Sequence, residues 1–364
     1  ELEKKGKNII HLSLGQPDFK TPFNIVNAAK NALDEGFHGY TPSNGFLELR
    51  KEVSFDANKR FNVNVDPENI LIVPGGKPII FFSILMFSEP GSEIIYPDPG
   101  FPIYKSVIEY AGSKAVPLKL KEEDNFQINV KKMVSLINKK TRLIIINNPN
   151  NPTGSFMQKE KIDEIVKSLI KFPNVAILSD EIYSRLIFDN YEMPSLLKYP
   201  AIRNRLIVLD GWSKTYCMTG WRLGWGIWPN TLINHANKLA VNDHSCANAV
   251  SQIAGIEALR GSQKAVKKIL KEFQERRDLI FEGLNSLKNV SCFKPGGAFY
   301  AFPNVSKTDL SGDKFAKKAL EEYGVAVVSG SSFGNSAKRY VRFSFANSKE
   351  NISKALKILS KMCN

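Results

Sequence analysis

The sequence predicts an α/β fold in which a mostly parallel sheet is flanked by helices, with a smaller α/β domain formed from the two chain ends. In the middle of the 364-residue chain, short apolar runs typical of buried strands alternate with helical patterns. After residue 263 a long helical pattern is followed by shorter strands and helices, which indicates a second, smaller unit. We therefore predict a large domain over residues 40–265 and a small domain from residues 1–39 and 266–364.

The strands of the large domain are predicted from runs of Ile, Val and Leu that end in polar or glycine-rich segments. These runs lie at residues 70–73, 93–96, 143–146, 175–178 and 206–209. Helical patterns separate several of them, at residues 79–87, after Pro102 and at 159–170. Because the strands are apolar on both faces, we expect helices to cover both sides of the sheet.

The small domain is predicted from a different mixture of elements. A helix is expected from residue 263 to about 287, and further helices at residues 314–322 and 351–362. Strands are expected at residues 290–293, 298–302, 325–328 and 340–345. The N-terminal segment is rich in Gly and Pro without sustained periodicity, so we expect it to join this domain and to border the functional site.

Polar motifs follow four of the predicted strands of the large domain. They are Gly75–Gly76–Lys77, Asn151–Pro152–Thr153–Gly154, Asp180–Glu181–Ile182–Tyr183 and Ser213–Lys214. Ligands of such sheets bind beyond the carboxyl ends of the strands, so these motifs predict a single site along that edge.

Lys214 carries the most specific chemical signal. It lies just beyond the apolar run 206–209, and lysine is rarely tolerated in interiors unless it is paired or chemically used. A desolvated lysine becomes a nucleophilic amine that can form a Schiff base with an aldehyde. Arg222, eight residues later, suits a phosphate, so the pair indicates pyridoxal 5′-phosphate. The alternative is a solvated loop lysine and a surface arginine.

Composition excludes several other classes of protein. The net charge is +14, but most lysines lie on the solvated faces of predicted amphipathic helices, so we do not expect nucleic-acid binding. The apolar share of 43% includes no run long enough to cross a membrane. The four cysteines and four histidines form no paired spacing, so neither a metal site nor a disulfide scaffold is expected. A reducing, cytoplasmic location follows, and because the chain begins at Glu1 without methionine, we expect native residues to precede it.

The motifs, taken in order, resemble the class I and II aminotransferases of the fold-type-I pyridoxal-phosphate enzymes, which are aspartate aminotransferase-like. The resemblance spans nearly the whole chain, and it rests on residues 12–18, 39–42, 151–154, 213–214 and 342–344. It implies a homodimer with two active sites at the subunit boundary, and it implies pyridoxal 5′-phosphate as the cofactor.

The resemblance also implies the roles of the catalytic residues. Lys214 matches the Schiff-base lysine, whose freed amine moves a proton between substrate and cofactor. Asp180 matches the aspartate that pairs with the pyridine nitrogen. Asn151 and Tyr183 match residues that donate hydrogen bonds to the phenolic oxygen of the cofactor.

Further cofactor and substrate contacts are implied in the same way. The matching positions for the phosphate are Gly76, Lys77, Ser213, Arg222 and, from the neighbouring subunit, Tyr40. Phe101 matches the aromatic residue that stacks on the cofactor ring. Substrate contacts are implied for Arg342, which matches the arginine that binds the α-carboxylate, and for Gly15 and Asn151. Many relatives have a serine where this chain has Gly211, so the resemblance implies no hydroxyl contact to the phosphate from this position.

These residues predict an aminotransferase that exchanges amino groups between an L-amino acid and a 2-oxo acid, with glutamate and 2-oxoglutarate as one pair. Two alternatives remain open on the sequence. One is a carbon–sulfur β-lyase on the same fold, because the same residues serve any reaction that begins with Cα deprotonation. The other is a binding or regulatory protein without turnover, against which the intact Lys214, Asp180 and Arg342 argue.

Overall fold

The computed structural model describes residues 2–363, and its largest element is a seven-stranded sheet within that range. The start of the chain at Glu1, before which further native residues were expected, lies outside the described residues. The strands, in chain order, are β1 (Ile10–His11), β2 (Ile70–Val73), β3 (Glu93–Asp98), β4 (Lys114–Lys119), β5 (Thr141–Asn147), β6 (Ala176–Asp180), β7 (Leu206–Gly211), β8 (Gly224–Ile227), β9 (Tyr300–Ala301), β10 (Val325–Ala326), β11 (Val328–Ser329) and β12 (Val341–Ser344).

The α-helices surround this sheet and build most of the remaining structure. In chain order they are α1 (Phe23–Asp34), α2 (Leu47–Phe61), α3 (Lys77–Phe87), α4 (Ile103–Tyr110), α5 (Val130–Leu136), α6 (Lys159–Leu169), α7 (Trp212–Thr215), α8 (Asn230–His244), α9 (Ala249–Arg260), α10 (Lys264–Asn285), α11 (Gly312–Glu321) and α12 (Lys349–Cys363).

The main sheet runs in the order β2-β8-β7-β6-β5-β3-β4. All neighbours pair in parallel except β8, which is antiparallel to both β2 and β7. Both faces are buried, because Ile144 and Ile146 of β5 pack into one hydrophobic core while Leu143 and Ile145 pack into another. The predicted fold class is confirmed.

A third hydrophobic core forms from the two chain ends. β1 pairs in parallel with β10, and β11, β12 and β9 form a small antiparallel sheet. Phe273, Phe299 and Phe343 are fully buried in this core. Helix α1 packs instead against α9, where the Asn24 amide donates to Glu257 at 2.6 Å. The division into residues 40–265 and 1–39 with 266–364 stays a prediction.

Several sequence-predicted strands differ from the structure. Residues 290–293 form no strand, and only an isolated bridge joins Ser291 to Asn304. The alternation there arises because Val290 and Cys292 are buried beneath α10 without being paired in a sheet. The strand predicted at 298–302 shortens to β9, and the one at 325–328 divides into β10 and β11.

Strand β8 was missed because its glycines carry no strand signal. The structure requires one of them, since a Cβ on Gly226 would lie 2.7 Å from the Trp228 indole nitrogen and 2.8 Å from Ile79. Among the described residues, no helix is long and apolar enough to span a bilayer, and no cluster of three His, Cys, Asp or Glu side chains could bind a metal.

Candidate functional site

A cavity of about 360 Å³ lies at the carboxyl ends of β5, β6 and β7, beside the first turn of α3. It brings together most of the residues selected from the sequence: Gly15, Gly76, Lys77, Phe101, Asn151, Asp180, Tyr183, Ser213, Lys214, Arg222 and Arg342. Tyr40 does not line the cavity, and its side chain is 91% exposed. Eleven of the twelve selected residues therefore line one cavity.

Lys214 lies in the short helix α7, directly after β7, and its Nζ donates to the Gly15 carbonyl oxygen at 2.7 Å. Burial, and then the charges of Arg342 and Arg222, lower the pKa of Lys214 from 10.5 to about 8. About a tenth of the amine is therefore neutral at pH 7, far more than for an ordinary lysine. The sequence argument for a desolvated amine agrees with this environment.

We expect the acetylation rate of Lys214 to rise tenfold per pH unit and to level off near pH 8, because only the neutral amine reacts. Trace labelling of the cofactor-free protein with acetic anhydride, read by peptide mass spectrometry, measures this profile. Exposed Lys159 is the internal reference, since its hydrogen bond with Asp163 raises its pKa above 10.5. Parallel profiles for the two lysines would show that Lys214 is not desolvated.

Asp180 is the last residue of β6 and is 3% exposed. Its Oδ2 accepts a hydrogen bond from the Tyr104 hydroxyl at 2.6 Å, and its Oδ1 accepts one from the Ile182 N–H at 3.2 Å. Burial raises the pKa of Asp180 from 3.8 to about 6, although both hydrogen bonds oppose the shift. A carboxylate held in this way is stabilised by any cation that enters the cavity beside it.

Asp210 supports the segment that leads from β7 to Lys214. Its Oδ1 accepts from the Gly211 N–H at 2.7 Å, and its Oδ2 accepts from the Ser184 hydroxyl at 2.6 Å. The Arg60 guanidinium also donates to that hydroxyl, at 3.0 Å. Gly211 itself is confined, because a Cβ there would lie 2.9 Å from the Gly224 Cα. A side chain at this position would therefore press against β8.

Arg342 lies on β12 and is 8% exposed. Its two Nη atoms donate to Asn151 Oδ1 at 2.9 Å and to the Ser13 carbonyl oxygen at 2.8 Å, while its buried Nε has no partner within the described residues. No carboxylate among residues 2–363 forms an ion pair with it. A buried guanidinium with only neutral partners and a free donor is suited to an anionic ligand.

Arg222 lies next to the loop that joins β2 to α3. Its Nη1 donates to the Thr219 carbonyl oxygen at 2.7 Å. Gly75 has a φ of +82°, and a Cβ there would lie 2.2 Å from Arg222 Nη2. The chain thus lets the guanidinium approach the free N–H groups at the start of α3, which together form an anion site.

Tyr183 and Asn151 complete the polar lining. The Tyr183 hydroxyl lies 2.9 Å from the Tyr300 hydroxyl, and burial raises the pKa of Tyr183 well above 10. Asn151 presents its Oδ1 to Arg342, which leaves its amide nitrogen available as a donor. Phe101 lies edge-on to Tyr104, with ring centroids 6.1 Å apart.

Sequence reasoning missed several residues that line the cavity, among them Tyr104, Asn147, Thr219 and Tyr300. Tyr104 follows Phe101 by three residues in a helical stretch, so helical spacing could have found it. Asn147 ends β5, and the rule that selected Asp180 applies to it equally. Tyr300 comes from a distant two-residue strand and had no local signal.

Comparisons with known proteins agree on one family. The family model described as Aminotransferase class I and II matches residues 7–359. The chain is 40% identical over 359 residues to a probable aspartate aminotransferase of Methanocaldococcus jannaschii, covering 97% of this chain and 93% of the relative. It is 38% identical over 363 residues to an aspartate aminotransferase of Pyrococcus horikoshii, covering 99% and 92% respectively.

The fold is likewise similar to solved structures. The crystal structure of an aromatic aminotransferase from Pyrococcus horikoshii superimposes with a TM-score of 0.94 at 35% sequence identity, covering 97% of this chain and 95% of that one.

Proposed function

The chain belongs to the class I and II aminotransferases, enzymes that depend on pyridoxal phosphate, and we propose that it uses glutamate and 2-oxoglutarate as one of its substrate pairs. One observation carries the proposal: a single cavity holds Lys214, Asp180 and Arg342. Four cationic side chains line it, those of Lys77, Lys214, Arg222 and Arg342, and Asp180 is the only carboxylate among the described residues of the lining. This excess of positive charge favours anionic ligands, which fits both a phosphate and the α-carboxylate that glutamate and 2-oxoglutarate share.

The donor set also fits the cofactor. The anion site formed by Arg222, Ser213 and the first turn of α3 suits a phosphate, with backbone N–H groups from Gly76 and Lys77. Lys214 offers an amine of lowered pKa to the aldehyde. These chemical matches, together with the family, support pyridoxal phosphate as the group that this cavity holds.

When bound, the cofactor supplies an electron sink for a carbanion at the substrate Cα. We propose that Asp180 holds the proton on the pyridine nitrogen, since a buried carboxylate and a cation at contact distance attract by about 4 kcal/mol at an effective dielectric near 20. Asn151 and Tyr183 would donate to the phenolic oxygen, and Phe101 would stack on the ring. These residues would fix the orientation in which the reacting carbon faces Lys214.

Lys214 Nζ is the base that takes the proton from the substrate Cα, and it would deliver that proton to the cofactor carbon that receives the amino group. Arg342 and the Asn151 side chain bind the α-carboxylate, and the Gly15 backbone borders the same space. The absence of a carboxylate partner for Arg342 among residues 2–363 supports this assignment, because both of its Nη atoms donate to neutral oxygens.

A homodimer is part of the proposal. Tyr40 is 91% and Phe23 75% exposed, and Phe23 lies along an open groove that also includes Thr219 and Arg222 of the cavity mouth. Large exposed side chains beside a site indicate a surface that a second chain covers. Sedimentation equilibrium should give twice the chain mass of 40.8 kDa, with Tyr40 then available to the phosphate of the partner's site.

The substrate pair is tested by adding amino acids singly to the cofactor-loaded enzyme. We expect glutamate to convert the bound cofactor to its pyridoxamine form, and 2-oxoglutarate to reverse the spectral change. Failure of glutamate beside success of another donor would contradict the pair. Release of pyruvate from cystathionine would instead favour the carbon–sulfur lyase reaction.

The loop before α3 gives a separate prediction about the phosphate. Gly75→Ala forces the Arg222 guanidinium to move, because the alanine Cβ would lie 2.2 Å from Arg222 Nη2. Losing the charge-assisted contact between Arg222 and the phosphate should weaken cofactor binding roughly 10- to 150-fold. Gly112→Ala is the matched control, since Gly112 has a similar φ of +85° but nothing within 4 Å of a Cβ. Equal cofactor dissociation constants for the two variants, measured by fluorescence, would refute the role of Arg222.

A further inference from the structure

Tyr300 occupies a position that links three parts of the cavity. It is 1% exposed and lies on β9, which pairs with the strand that carries Arg342. Its hydroxyl lies 2.9 Å from that of Tyr183 and 2.8 Å from where a Cβ on Gly15 would be. The centroid of its ring lies 4.4 Å from the guanidinium carbon of Arg342. A side chain that contacts both a proton donor and a substrate-binding cation can affect each separately.

The number of available protons decides the direction of the hydrogen bond between the Tyr300 and Tyr183 hydroxyls. A phenol has one proton to donate. If Tyr183 donates its proton to the phenolic oxygen of the cofactor, its bond to Tyr300 can be made only by accepting. Tyr300 must then be the donor, since Tyr183 is the hydrogen-bond partner of its hydroxyl among residues 2–363. A phenol that accepts a hydrogen bond is itself a stronger donor.

The ring of Tyr300 acts on a different group. With Phe333, whose ring lies 4.7 Å from the same guanidinium carbon, it provides aromatic faces for Arg342. Arginine stacks on such faces, and the contact strengthens in buried surroundings. The ring therefore restricts the plane in which Arg342 presents its donors to a carboxylate.

We propose that Tyr300 is a positioning residue with two separable roles: its hydroxyl directs the proton of Tyr183 toward the cofactor, and its ring orients Arg342 toward the substrate carboxylate. The inference rests on the proposed roles of Tyr183 and Arg342. It predicts that removing the hydroxyl and removing the ring have different consequences.

Tyr300→Phe removes only the hydroxyl. We expect the pH midpoint of the visible absorbance change of the bound cofactor to rise by about half a unit, because Tyr183 becomes a weaker donor to the phenolate. The dissociation constant of succinate, a dicarboxylate that cannot react, should stay within about twofold of wild type, because Arg342 keeps its aromatic neighbour.

Tyr300→Met removes the ring while keeping a flexible apolar side chain of similar reach. The dissociation constant of succinate should then rise roughly 5- to 30-fold, and restoring the ring as Phe should restore binding. Tyr199→Phe is the matched control, since its hydroxyl donates to Asp163 outside the cavity. It should change neither the absorbance midpoint nor the affinity for succinate.

A double-mutant cycle separates this inference from the proposed function. Tyr183→Phe should shift the absorbance midpoint, and adding Tyr300→Phe should shift it no further, because the second hydroxyl acts through the first. A shift in Tyr183→Phe without one in Tyr300→Phe would overturn the role of the Tyr300 hydroxyl alone. No shift in Tyr183→Phe would overturn the role of Tyr183 itself and the inference with it. Unchanged succinate affinity in a folded Tyr300→Met would overturn the role of the ring.

Discussion

Lys214→Ala is expected to give a folded protein with much slower transamination. Losing a positioned acid–base group should by itself lower the turnover rate roughly 10²- to 10⁴-fold. The loss of the amine also removes the covalent link to the cofactor, so the effect on turnover should lie at or beyond the upper end of that range. Stability should change little, because the variant loses one hydrogen bond to Gly15 but no longer desolvates an amine.

The measurement combines borohydride reduction, peptide mass spectrometry and the turnover rate. Reduction should attach the cofactor to Lys214 in wild type and to no residue in the variant. Lys77→Ala is the matched control, because Lys77 lines the same cavity yet is proposed to contact the phosphate through its backbone. It should still carry the reduced cofactor on Lys214. A tag on another side chain, or wild-type turnover in Lys214→Ala, would refute the assignment.

Much of the large sheet and of the site could be predicted from the sequence because both depend on local signals. Short apolar strands predict where the chain enters the sheet, and the residue that follows each strand lies at its carboxyl edge. Asp180 and Lys214 were found in this way, and both line the cavity. The strongest errors arose where apolar residues are buried without being paired, as at Val290 and Cys292.

The remainder depends on contacts between distant segments. Arg342 lies on a short strand where alternation would place it facing solvent, yet it is buried between aromatic rings and bonded to Ser13, 329 residues away. Tyr300 meets Tyr183 across 117 residues. No local pattern predicts such pairs, because they form only when the chain ends pack against the large sheet.

Burial determines the electrostatic character of the site more than sequence neighbours do. Asp180 has a raised pKa and Lys214 a lowered one, each mainly because burial disfavours its charged form. A cation bound beside Asp180 would offset the free-energy cost of burying the charged carboxylate. Cofactor binding should therefore stabilise the folded protein as well as complete the chemistry. Arg222 and Arg342 form no ion pair with a carboxylate among residues 2–363, which supports their assignment to the phosphate and the substrate.

Arg342→Ala is expected to lower kcat/KM by roughly 30- to 5,000-fold, the effect of about 2–5 kcal/mol for truncating one partner of a buried charge pair. The change should appear mainly as a higher KM, because the α-carboxylate is present in the ground state and the transition state alike. The KM values for the amino acid and for the 2-oxo acid should rise by similar factors, since both substrates carry this carboxylate. Steady-state kinetics with each substrate varied in turn measures the two values.

Arg342→Lys is the matched variant that keeps the charge but loses the planar fork. It should retain part of the binding, because a lysine ammonium attracts a carboxylate but cannot donate in the same bidentate geometry. Folding of both variants is checked by thermal unfolding, because removing the guanidinium takes a donor from Asn151 Oδ1 and from the Ser13 carbonyl oxygen. A rise in KM for only one member of the substrate pair would show that Arg342 contacts a side chain rather than the shared carboxylate.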